Sequence, residues 1–410
     1  MAPFPLEVLY GKPVAYTVFL LIGVAFGAVL EMSGFGNSPK LARQFYFKEM
    51  TVLKVMFMGI VVAMLLIFWA TAMGWLNYNL IWVNPTYLWP GIVGGLIMGV
   101  GFIIGGFCPG TSLVAAATLK LDGIFFALGT LTGIFFFGET VQYFETFWNS
   151  SYMGRFTLPQ LFGLPVGVVV LGVVIMAIFM FWGAEKLEGI FGEKPQVAAP
   201  ARRGRLLAGA GVLMAAAVGL LLVGQPTTAD KWQRIAETRE TQLADRAVQI
   251  APAELLEYIY NDKVIVKMID VRDEANYNVF HLVGATSAPL ETVPEIIPAL
   301  LTEPANTLFV VMSNDETLAT EAWRTLVAES VPNAYILAGG INNWLDTFGD
   351  DGVQAAVFNA TGDETLRHPF TAAVGSAHPA ANPDPHAVHV EYVPKVEMKL
   401  KQGPSGGGCG

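Results

Sequence analysis

Six apolar runs, all ahead of residue 225, constrain this chain more than any other feature. Residues 14–30 (VAYTVFLLIGVAFGAVL), 55–76, 88–107, 123–143, 164–184 and 206–224 each approach the length that crosses a bilayer, roughly 20 apolar residues. Hydrocarbon offers no water to backbone N–H and C=O groups, so such runs must satisfy them internally, as helices. Of 410 residues, 53% are hydrophobic and only 14% charged, too apolar for an ordinary soluble domain. Most of the charge lies beyond residue 225. The expected architecture is a polytopic α-helical membrane domain at 1–225 and a linker or stalk at 226–247. A water-soluble domain at 248–350 and a flexible tail at 351–410 follow. The N-terminus has no basic n-region and no small-residue cleavage site, so the first run reads as a retained span. A net charge of −10 with no sizeable basic patch excludes nucleic acid as a partner. Two cysteines far apart give neither a disulfide framework nor a metal-finger spacing, and no cofactor motif is present.

Lysine and arginine orient the spans. Lys40, Arg43, Lys48 and Lys54 lie between spans one and two, and Arg202, Arg203 and Arg205 just before span six. The loop from Asn77 to Tyr87 carries no charge. Placing the basic loops inside puts both termini outside, which for a bacterial inner membrane is the periplasmic side.

The third run does not end as a plain helix. Gly105-Gly106-Phe107-Cys108-Pro109-Gly110-Thr111-Ser112 combines glycines that loosen the chain with a proline that removes a backbone donor. A weaker copy, Ser33-Gly34-Phe35-Gly36, follows the first run and leads into Asn37, Ser38 and Pro39. Both copies follow spans of the same direction, so two parallel broken-helix hairpins related by an axis along the membrane normal are expected. Unpaired N–H groups, the hydroxyls of Ser33, Ser38, Thr111 and Ser112, and helix starts at Thr111 and Pro39 suit a small anion. Glycine alone would read as close helix packing. Glycine with proline, cysteine and a repeat reads as a substrate site. Glu31 and Glu139 are carboxylates at span ends, either proton partners or hydrated groups.

This motif, with its earlier copy, resembles the YeeE/YedE membrane proteins, which are associated with uptake of thiosulfate and related sulfur compounds. The resemblance covers about 14–145 and extends toward 224. It implies that substrate passes cysteines in paired inward loops, and Cys108 falls on the second-loop cysteine. In the first loop Gly36 stands where a cysteine is common, so a relay through several thiols is in doubt.

Beyond the stalk, helical and strand patterns alternate. Helices are expected at Pro252–Tyr260, Thr317–Glu329 and Ile341–Phe348, and strands at Val264–Val271, Thr307–Met312 and Ala334–Leu337. Short apolar strands separated by helices predict an α/β domain with a parallel sheet. Ile269-Asp270-Val271-Arg272-Asp273, His281-Leu282-Val283-Gly284-Ala285 and Leu337-Ala338-Gly339-Gly340-Ile341-Asn342-Asn343-Trp344 resemble the rhodanese (sulfurtransferase) domain. The resemblance implies a nucleophilic cysteine after Thr307–Met312 and an anion cradle around it. Here Ser313, Asn314, Asp315, Glu316 and Thr317 stand there. A hydroxyl without a base does not carry sulfane sulfur, and two carboxylates repel an anion. A non-catalytic domain that binds substrate or a partner is expected, with a mere spacer as the bland reading.

In the tail, Val388–Lys401 alternates as a strand that would dock on a sheet edge, and His386 with His389 lacks a third metal ligand. The glycine-rich end carrying Cys409 resembles the swinging arm of the Sox-type thiosulfate carrier; a disordered end is the alternative. Three functions follow from these readings. One is a membrane importer of thiosulfate or a similar small sulfur-containing anion. Another is a sulfur relay with a persulfide on Cys409. The last is a structural subunit that docks a sulfur-handling or membrane-complex protein. Lipid is the surrounding partner in each.

Overall fold

The computed structural model describes residues 2–4, 6–192, 200–349, 365–368, 370, 373–386 and 390–398. The chain divides at Gln225 into two compact units.

Among the described residues, the first unit holds six helices long and apolar enough to cross a membrane. They span Lys12–Met32, Thr51–Ala72, Leu88–Gly105 continued by Pro109–Ala117, Leu121–Thr140, Val166–Phe191 and Pro200–Val223. The second, fifth and sixth spans share a core of Val61, Leu65, Val170, Val174, Ala177, Leu213, Ala217 and Leu220. Alanine and glycine on this seam let the backbones close, and Trp69 Nε1 donates to the Ala216 carbonyl across it at 3.1 Å. Spans one, three and four present most of their side chains outward. In hydrocarbon such faces carry no penalty, because lipid is as apolar as leucine.

The third span is one crossing in two pieces. Leu88–Gly105 stops at Gly106, and Pro109–Ala117 resumes after Phe107 and Cys108. Leu119 then turns the chain with a φ of 58°, and Gly123 of the fourth span lies directly against Ala115. The first span breaks similarly after Met32, but its second piece, Ser38–Ala42, is only five residues long.

The second unit begins with the helix Thr228–Ala244, capped by Thr227 and Asp230 in a reciprocal box. Among the described residues five strands follow: β1 Gln249–Ile250, β2 Ile265–Asp270, β3 Ala285–Ser287, β4 Thr307–Met312 and β5 Ala334–Leu337. All pairings are parallel, in the order β1-β5-β4-β2-β3. Parallel neighbours need crossovers, and helices such as Glu274–Val279 (β2 to β3) and Thr317–Ala328 (β4 to β5) supply them. β4 is central and wholly buried, which explains its unbroken apolar run. Trp323 and Trp344 fill the core, each with its indole N–H on a backbone carbonyl (Ala334 at 2.9 Å, Ala380 at 2.7 Å). The three expected strands and three expected helices are present within a residue or two. β1 and β3, two and three residues long, carry too little pattern to be read.

The described residues after Gly349 lie along this unit. Asn342 holds Thr365 and Arg367 by its amide, and His368 is buried 3.1 Å from Asp346. Residues 390–398 form no strand, contrary to the expected sheet-edge pairing. Three of their N–H groups go to side chains instead. Lys395 N and Val396 N donate to the buried Glu254 carboxylate at 2.8 and 2.9 Å, and Glu397 N to the Tyr335 hydroxyl at 2.9 Å. A carboxylate accepting two N–H groups competes well with a sheet edge.

Candidate functional site

Cys108 occupies the N-cap of Pro109–Ala117, with extended backbone (φ −94°, ψ 165°). A proline at N1 needs no donor there, so the sequence Cys-Pro starts a helix with the thiol at its positive end. Cys108 Sγ accepts Thr111 N–H at 3.4 Å and lies 3.3 Å from Thr111 Oγ1. Thr111 Oγ1 in turn accepts Cys108 N–H at 3.0 Å and donates to the Cys108 carbonyl at 3.2 Å. Sulfur thus plays the part that serine or aspartate usually plays in a capping box. The thiol is half-buried.

The break itself depends on Gly106, whose φ of 69° is the left-handed C-cap that ends the upper helix. A Cβ there would stand 3.0 Å from Ser38 Cβ, so the two broken segments meet at this point. Phe107 and Phe35, one from each segment, are both buried in a cluster with Leu41, Val52 and Ala115. The repeated Gly-Phe pairs therefore anchor the two turns in one apolar knot. Pro109 and Gly110 form the first turn of the lower helix.

The expected hydroxyl donors are engaged. Ser33 and Ser112 donate to the carbonyls of Val29 and Pro109, both at 2.7 Å. Ser38 donates to Asp122 Oδ2 at 2.7 Å. The expected positive helix end at Pro39 is slight, because a helix of five residues sums few peptide dipoles. Its donor at Lys40 N is already capped by Asn37 Oδ1, at 3.4 Å.

Charge collects at the turns instead. Lys40 Nζ donates to the Ser33 carbonyl at 2.8 Å, and Lys120 Nζ pairs with Glu31 Oε1 at 3.1 Å. Glu139 lies on the exposed face of the fourth span, away from these groups. Cys409 and His389 are outside the described residues. Among the described residues no three ligands gather for a metal.

In the soluble unit, Ser313 follows β4 and is 0% exposed. Its hydroxyl donates to the Asp315 carbonyl at 3.1 Å and accepts Ala319 N–H at 3.2 Å. Asn314 accepts Arg272 Nη1 at 2.8 Å, and Arg272 forms a buried fork on Asp270 at 2.9 and 2.6 Å. Asp315 caps Thr317 N–H at 2.6 Å. Glu316 turns toward Gly339 N–H, at 2.6 Å, and its two oxygens take Arg246 at 2.6 and 3.2 Å. One backbone N–H and one guanidinium beside this loop are thus taken by the protein's own Glu316 carboxylate.

Two family models match the chain. One, described as Sulphur transport, matches residues 32–266, more than half the length. The chain belongs to the sulphur transport family. It is therefore a multi-pass membrane protein with a sulfur-related transport role. The second model, a rhodanese-like domain, matches residues 251–347 and accounts for the five-stranded parallel sheet. The two matches overlap at 251–266, whereas the fold divides at Gln225, where the last apolar helix ends and the capped polar helix begins. No curated protein and no solved structure matches the chain.

At the two turns the sequence alone singled out Cys108, Ser33 and Ser38, passed over Lys120 and Asp122, and read Lys40 only as a topology marker. Their signal was present: Lys120 and Asp122 are charges flanking the start of an apolar span, a costly place unless paired. In the rhodanese-like unit it missed Arg246, which sits far from the loop in sequence.

Proposed function

We propose that the protein carries thiosulfate, or a similarly small sulfur-containing anion, across a bacterial inner membrane past Cys108. The observation that carries this reading is a thiol capping a helix at the break in a membrane span. Such a thiol can donate a hydrogen bond to a terminal sulfur while the helix end favours the negative charge. Neither group need change covalently, so the anion can leave as it entered. The basic residues Lys40, Arg43, Lys48, Lys54, Lys120, Arg202, Arg203 and Arg205 belong to the inner side, which puts residues 226–410 in the periplasm.

The rhodanese-like unit, on this reading, binds rather than transfers. Ser313 cannot hold a persulfide, and Glu316 occupies the donors that would attract a free anion. Its role is to hold a protein partner.

Uptake of radiolabelled thiosulfate into vesicles holding the full chain tests the proposal. Cys108→Ala should lower the initial rate by at least about tenfold, the cost of one charge-assisted hydrogen bond on the path. Uptake by Cys108→Ala at the wild-type rate would remove the thiol from the mechanism.

A further inference from the structure

Gly36 is buried, and the reason it is glycine is visible. A Cβ at this position would collide with Glu31 Oε2 and lie 3.0 Å from Lys120 Nζ. Glu31 Oε1 pairs with Lys120, while Glu31 Oε2 is shielded from solvent and has no hydrogen-bond partner. Lys40 Nζ rests on the other side of the same turn, 2.9 Å from where a Gly34 Cβ would sit, and its acceptor among the described residues is the neutral Ser33 carbonyl. Asp122 faces this turn too, but it is held by Ser38 Oγ at 2.7 Å and by its own helix start at Gly123 N, 2.9 Å. The first turn thus carries two ammonium groups and one carboxylate that is incompletely satisfied. The space a first-loop thiol would need is filled by an ion pair pressed against bare backbone.

We propose that the Glu31–Lys120 pair is a second, ionic station on the transport path, at which Glu31 holds Lys120 while the path is empty and yields it to an arriving anion. The inference rests on the transport reading above and adds to it the groups that bind the anion's charge. Lys120 follows the C-terminal end of the helix that Cys108 caps. That helix has nine residues and is about 13 Å long, so the Cys108 cap and the turn leading to Lys120 lie at its opposite ends. Lys40 assists, since it gives up only a carbonyl. The chemistry selects a small oxyanion with more than one negative charge, because a monoanion gains little by displacing a carboxylate already in place. Glu31 also resets the site: by returning to Lys120 it keeps the anion from being held too tightly to leave.

The test uses the full chain in liposomes and radiolabelled thiosulfate. Glu31→Gln removes the competitor and keeps the shape. Its KM should fall about two- to fivefold, the worth of a partly exposed ion pair, and its maximal rate should fall as release slows. Lys120→Met should raise KM about ten- to a hundredfold. The double variant Glu31→Gln/Lys120→Met decides between binding and mere structure. An anion station keeps its KM high, whereas a purely structural pair is relieved by removing both charges. Lys120→Arg should retain uptake and so reports on folding. A double variant with wild-type KM, or single variants that change nothing while wild-type uptake is normal, overturns the station and leaves the transport reading standing. Absence of uptake by the wild-type chain overturns both.

Discussion

Single residues in this protein act through where a neighbour stands. Gly106 takes a left-handed φ of 69° and touches Ser38 of the other turn. Gly106→Ala should therefore destabilise the membrane unit by about 1–2 kcal/mol, the cost of left-handed backbone with a Cβ, and lower uptake with it. Thermal unfolding in detergent alongside vesicle uptake checks both. Ser313 carries the opposite lesson. Placing a thiol at this position with Ser313→Cys should yield no thiocyanate from thiosulfate and cyanide. Position 313 is fully buried, and Glu316 keeps Gly339 N–H and Arg246 occupied. Turnover by that variant at rates typical of an active sulfurtransferase would refute this account of the loop.

At the level of elements, side chains reach across to hold segments that lack a ladder. Residues 395–397 stay on the soluble unit through Glu254 and Tyr335, and Tyr392 donates to Glu257. These tyrosines titrate late. Burial raises Tyr335, Tyr258 and Tyr392, with the charges of Glu254 and Glu257 adding to the effect at Tyr258 and the Glu257 bond adding to it at Tyr392. A group whose folded pKa lies above its unfolded value, about 10 for tyrosine, stabilises the fold fully below that value. The contribution disappears as pH rises through the folded pKa. Stability of residues 226–410 should thus decline above about pH 10. Tyr335→Phe and Tyr392→Phe should flatten that decline in urea titrations followed at several pH values. An unchanged slope in both variants would show that these hydroxyls carry no such linkage.

The whole molecule is a membrane unit and a soluble unit joined where an apolar helix ends at Val223 and a capped polar helix starts at Thr228. The soluble unit has its own sheet and core, so residues 226–410 expressed alone should fold cooperatively, with a single unfolding transition by circular dichroism. On the proposed orientation, with the basic loops inside, this unit lies outside the cytoplasm. Alkaline phosphatase, which folds only outside the cytoplasm, should be active when fused after residue 230 and inactive when fused after residue 195. The reverse pattern would turn the topology over. Because the last span must exit where the soluble unit folds, one error in span count would move that unit across the membrane, which makes this the sharpest test of the architecture.

Hydropathy alone determined the six spans, since a bilayer demands about 20 apolar residues whatever their neighbours are. Local motifs determined the rhodanese-like fold and the Gly-Phe-Cys-Pro break, because turns, caps and buried strands are written in adjacent residues. Tertiary structure alone decided how charge is placed at the breaks. Glu31 meets Lys120, and Ser38 meets Asp122, across separations of 89 and 84 residues that no local pattern encodes. Arg246 reaches Glu316 across 70 residues in the same way. The sequence located a thiol and two turns. Only the fold brought the turns together at Gly106 and Ser38, engaged the hydroxyls, and set an ion pair against Gly36. The physical reason is that hydrophobic length and backbone conformation are local quantities, whereas the pairing of charged side chains depends on which segments the packing brings into contact.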